Sequence, residues 1–154
     1  MRVRFAWGLV ALLGLAGVSA AASDPRLTRA RVQAQQSCRA LLTGDYATVV
    51  KLTYPAVVQG IGGAERMVEV LRSGRQRMHA EGAAFHDAYA RDPEALVAAG
   101  EDLLTIVPMV VVMKVPGGRL TQRSFLLGVS SDGGQTWTFI DGANLTLNNV
   151  TTIL

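Results

Sequence analysis

Two periods of apolar residues divide the chain. Leu27, Ala30, Ala34, Cys38 and Leu41 recur at three- and four-residue steps, which lines them up on one face of a helix. The spacing predicts a helix over 25–43, with Pro25 at its first position, Asp24 or Ser23 as cap and Gly44 as stop. A short second helix is expected over 45–53, burying Tyr46, Val49 and Val50 and halted by Pro55. Residues 55–63 read as a loop closed by Gly62-Gly63. A third helix then runs from Ala64 to Gly82. Ala64, Met67, Val68, Leu71 and Met78 form its apolar stripe, and Glu65, Glu69, Arg72, Arg75 and Arg77 lie outside it.

After Gly82 the period shortens to two. Residues 83–91 alternate as a strand with Phe85, Asp87 and Tyr89 on one side and His86 on the other. Asp92-Pro93 opens a connection with a helical turn at 94–98, ended by Gly100. Residues 103–115 have the Val- and Ile-rich composition of a buried strand, with Pro108 marking a bulge or an edge. Gly117-Gly118 reads as a hairpin turn, 119–131 as a strand, 132–135 as a turn, 136–141 as the last strand and 146–153 as a short helix. Helices followed by a strand meander give an α+β class, with helices packed on one face of a curved antiparallel sheet. The open end of such a cone is a natural pocket.

Ahead of these elements stand Arg2 and Arg4, an apolar run from Phe5 to Val18 and small residues 19–22. That is the layout of a secretory signal peptide over 1–22, leaving a single domain over 23–154; cleavage after Ala20 is the alternative. The run is short for a membrane span, so an exported protein, periplasmic or secreted, without stable membrane insertion is expected. Arg2 and Arg4 belong to the leader, so the formal charge of +3 overstates that of the domain. Arg72, Arg75 and Arg77 are the densest basic cluster and read as a solvated helix side, so no nucleic-acid role is expected. Cys38 is the single cysteine, which excludes an internal disulfide and reads as a small buried residue. With no His/Cys cluster, neither metal nor cofactor is expected.

Thr43-Gly44-Asp45-Tyr46, followed by Thr53-Tyr54-Pro55 and Gly62-Gly63, resembles the helical half of the nuclear transport factor two-like superfamily, a cystatin-like α+β cone. In order of elements the resemblance covers nearly all of 23–154. It implies a pocket and often a homodimer formed sheet to sheet. Reaction type stays open, since the superfamily holds ketosteroid isomerases, polyketide cyclases, epoxide hydrolases and non-catalytic binding domains. Ser130-Ser131-Asp132-Gly133-Gly134-Gln135-Thr136-Trp137 is similar to the Asp-box of sialidase and other β-propeller blades, where the box is structural. One copy makes no propeller and reads as a hairpin clip, with Asp132 accepting backbone N–H groups. Calcium at Asp132 and Asp141 would have too few carboxylates.

Catalysis in such a cone needs a desolvated base and a donor for developing negative charge. His86, Asp87 and Arg123 are the candidates, Arg119 and Arg123 sharing strand parity with Phe125 and Leu127. An apolar pocket would instead draw on Tyr46, Tyr54, Met67, Leu71, Val111 and Met113. The expected function is non-enzymatic binding of a small apolar ligand or a partner protein. A cofactor-free isomerase, cyclase or hydrolase with a His/Asp acid–base pair is the alternative.

Overall fold

The computed structural model describes residues 24–145. The signal peptide expected over 1–22 and the helix expected at 146–153 both lie outside the described residues. Four helices precede the strands: α1 (Pro25–Thr43), α2 (Tyr46–Leu52), α3 (Pro55–Ile61) and α4 (Ala64–Ala80). The strands are β1 (Ala84–Ala90), β2 (Val97–Ala99), β3 (Asp102–Val115), β4 (Gly118–Ser130) and β5 (Thr138–Asp141), closed by a single 3₁₀ turn, Gly142–Asn144. All strand pairs are antiparallel in the order β1-β3-β4-β5, with β2 also on β3. The architecture is α+β, with the helices on one face of a curved sheet.

α1 has the expected limits. The Asp24 carboxylate accepts the Arg26 N–H at 2.9 Å, and Gly44 ends the helix in the left-handed region at φ 77°. Asp45 then caps α2, accepting the Thr48 N–H at 3.1 Å. Residues 55–61 are helical, not a loop. Pro55 breaks α2 and at the same time occupies the first turn of α3, where its missing N–H costs nothing.

Alternation along β3 separates two faces. Thr105, Val107, Met109 and Val111 point to the helices and are buried, while Ile106 on the other face is exposed. α1 lies low on this inner face because its contact positions are small: Ala30 and Ala34 are 0% exposed and Cys38 2%. They share one core with Ala88, Ala90, Val107, Leu126, Trp137 and Phe139. Gly128 is fitted to the same core, since a Cβ there would stand 3.1 Å from the Trp137 ring.

Three sequence expectations are corrected in the sheet. The register shifts between Phe85 and Asp87, so His86 is an extra residue in β1. Phe85 therefore joins the core side, away from Asp87 and Tyr89. Residues 97–99 form β2 where a helical turn was expected. Val115 pairs with Gly118, which puts Pro116-Gly117 at the hairpin turn, one residue earlier than expected. Pro108 sits within β3 without breaking the ladder to β4. Its carbonyl accepts the Arg91 N–H at 2.8 Å, so its imino nitrogen also faces the gap where the chain passes from β1 to β2.

The 130–137 turn is a hydrogen-bonded clip. Asp132 Oδ1 accepts from Ser130 Oγ at 2.8 Å, Gln135 N at 3.0 Å and Thr136 N at 2.9 Å, and Oδ2 accepts from Thr136 Oγ1. Gln33 on α1 ties this clip down: its amide oxygen accepts the Trp137 N–H at 2.8 Å and its amide nitrogen donates to Gln135 O at 3.0 Å. Gln35 accepts the Ala90 N–H on the opposite edge of the sheet at 2.9 Å.

Hydrogen bonds to Thr136, first side chain and then backbone, hold the Asp132 carboxyl far below its ordinary value of 3.8. The unfolded chain therefore binds a proton near that value more readily than the folded one. The contribution of Asp132 is fully present above pH ~4 and is lost as the pH falls below it. Asp132→Asn should unfold at lower urea than the native protein at pH 6, and the two midpoints should converge as the pH falls from about 4 towards 2. Urea titrations followed by circular dichroism check this.

Candidate functional site

A cavity of about 270 Å³ lies between the helices and the sheet. Cys38 and Leu41 of α1, Val49 of α2, Val57 and Ile61 of α3, and Met67 and Leu71 of α4 form the helical wall. Met109, Leu126 and Phe139 form the sheet wall, with Ser37, Thr53 and Asp141 supplying its polar atoms. α3 helps to wall the cavity, so reading 55–63 as a loop hid part of it. Its placement rests on backbone pairing: the Tyr54 N–H donates to Phe139 O at 2.9 Å, where Thr53 bridges β5.

The chemistry of these polar groups is limited. Burial pushes the Cys38 thiol up to about 11, which disfavours the nucleophilic thiolate. Thr53 Oγ1 donates to Val49 O at 2.8 Å. Asp141 Oδ1 accepts the Ala143 N–H at 2.9 Å and so caps the 3₁₀ turn. Among the described residues that line the cavity, Asp141 is the one carboxylate, and no histidine joins it.

A second hollow of about 260 Å³ opens between α1, α4 and β1 and shares Leu41 and Leu71 with the first. Tyr46, Val70, Gly74, Arg75, Arg77, Met78 and Phe85 complete its lining. Arg75 was expected outside the apolar stripe. It is half-buried instead, donating from Nη1 to Leu41 O and from Nη2 to Leu42 O, both at 2.9 Å. α1 has no basic residue in its last turn, and Arg75 from α4 serves the carbonyls left over there.

The apolar residues singled out in the sequence divide between these places. Met67 lines the first cavity, Tyr46 the second hollow and Leu71 both. Tyr54 lines a separate, more polar depression with Gln59, Asp102 and Thr138. Val111 and Met113 face the helices from β3 but touch neither cavity. The three catalytic candidates are not brought together with either: His86, Asp87 and Arg123 are exposed. Arg123 pairs with Val110, which pairs with Tyr89 across β1, so Arg119, Arg123 and Asp87 share the face turned away from the helices. Parity alone could not decide which face the helices would cover.

Asp141 and Phe139 went unassigned as cavity residues: their alternation with Ile140 puts them on one face of β5 but does not say which face the helices cover. Among the described residues, no group of three or more His, Cys, Asp or Glu side chains is placed to hold a metal ion, and no helix is long and apolar enough to cross a membrane. No family model matches the chain, and no curated protein matches it either.

Alanine at His86, Asp87 or Arg123 removes a side chain that is exposed and outside both cavities. Each should leave the unfolding free energy within about 0.5 kcal/mol of the native value. Chemical denaturation of the three variants measures it.

Proposed function

We propose that the chain is an exported, non-enzymatic domain that binds a small apolar molecule in the cavity between its helices and its sheet. The observation that carries this reading is the cavity lining, in which Leu41, Met67, Leu71, Met109, Leu126 and Phe139 surround about 270 Å³ of space. That volume lies just under the roughly 300–1,000 Å³ of sites that hold drug-sized molecules, so the ligand is of modest size. The resemblance to the nuclear transport factor two-like superfamily supports a pocket at this place in the cone. Export is supported by the charged, apolar and small-residue succession over 1–22.

The alternative, a cofactor-free isomerase, cyclase or hydrolase, has less support. It needs a base and a charge-stabilising donor within reach of one substrate. Cys38 is raised away from the thiolate, Asp141 is engaged with a backbone N–H, and His86, Asp87 and Arg123 stand outside the cavity. The proposal includes a homodimer. The sheet face turned from the helices carries Ile106, Pro108, Phe125 and Leu127 along β3 and β4, an apolar surface suited to a second copy.

Native mass spectrometry of the protein from its exported fraction should find dimers carrying a small molecule that denaturation releases. With the purified domain, 1-octanol should raise the melting temperature. Val57→Trp, which fills the cavity from its rim, should abolish that rise while the circular dichroism spectrum stays the same. Equal protection of both proteins by 1-octanol would refute the assignment of the cavity.

A further inference from the structure

We propose that the hollow between α1, α4 and β1 is a second binding site, selective for a small amphiphile with an apolar body and a carboxylate head. The inference stands independently of the ligand assigned to the cone cavity. Its first support is the lining: Leu41, Val70, Leu71, Met78 and Phe85 make an apolar floor, and the charged groups at its wall, Arg75 and Arg77, carry the same sign.

Among the described residues, neither guanidinium has a carboxylate partner; the ion pairs there are Arg26–Asp24, Arg31–Asp92 and Arg66–Glu69. Arg75 is held rigidly by the carbonyls of Leu41 and Leu42, which use one N–H from each terminal nitrogen. A guanidinium has five N–H donors, so further donors remain for a ligand. The C-terminus of α1 carries about half a negative charge, which Arg75 offsets, and Arg77 leaves the wall positive. Two cations beside apolar surface are complementary to a carboxylate attached to a hydrocarbon, and they discriminate against a neutral alcohol of the same length.

Gly74 is the second support. A glycine in the interior of α4 disfavours the helix relative to alanine. No tight packing requires it, because a Cβ at Gly74 would meet nothing within 4 Å. The space it leaves is the hollow it lines. A side chain there would project into the room the apolar body needs.

Isothermal titration of the mature domain with sodium octanoate and with 1-octanol tests the site, using Val57→Trp as the background so that the cone cavity is closed. Octanoate should bind at least tenfold more tightly than octanol. Arg77→Gln should reduce that advantage to threefold or less, and Gly74→Leu should abolish octanoate binding. Gly74→Ala, which suits the helix, keeps the melting temperature at or above the native value and separates filling of the hollow from misfolding. Absent octanoate binding, equal affinity for the two compounds, or a Gly74→Leu titration like that of its parent overturns the proposal. Failure of octanol to protect the native cone leaves this test unaffected, so the two readings fail separately.

Discussion

The close approach of α1 to the sheet sets the geometry of everything around it. Ala30, Ala34 and Cys38 succeed one another at four-residue steps, and each is almost wholly buried. Larger residues there would lift the helix off Val107 and Trp137, and overpacking of this kind costs about 1–3 kcal/mol. Gln33 and Gln35 fix the helix laterally, one amide on the clip at Trp137 and the other on β1 at Ala90. Backbone groups at both sides of the sheet thus find partners on a single helix, where unpaired buried groups would be costly.

With α1 seated low, the later helices cannot also lie flat on the sheet. α2 and α4 form a smaller core with the end of α1, around Ala40, Val49 and Met67. The space between that core and the Leu126–Phe139 part of the sheet is left unfilled and becomes the cone cavity. Arg75 joins α4 to the end of α1, and the second hollow lies beside that junction. Both hollows therefore arise where one packed layer gives way to another, and neither requires strained backbone.

Much of this architecture was legible in the chain. The α1 stripe, the Gly44 stop and the long β3–β4 hairpin each follow from a strong local signal: period, left-handed glycine, and dense Val and Ile. α3 was hidden because proline ends one helix and begins another with equal ease, and seven residues show too little periodicity to decide. The bulge at His86 inverted the reading of Phe85, since one inserted residue exchanges the two faces of a strand. Site residues were harder to find than elements. Arg75 looks like one of several surface arginines until the carbonyls at the end of α1, more than thirty positions away, come into view. Asp141 and Phe139 needed knowledge of which sheet face the helices occupy, and local pattern does not carry it.

The Gln33 amide bonds span 102 and 104 positions, joining the first helix to the last hairpin. During synthesis at about 5–20 residues per second, Gln33 waits on the order of 5–20 s before the turn it bonds exists. The alanine face of α1 offers little to bury alone, and contacts this distant in sequence are slow to form. The tie between the first helix and the last hairpin therefore closes only near the end of synthesis. Such a delay suits the export proposed above, which a chain that is still threadable can undergo.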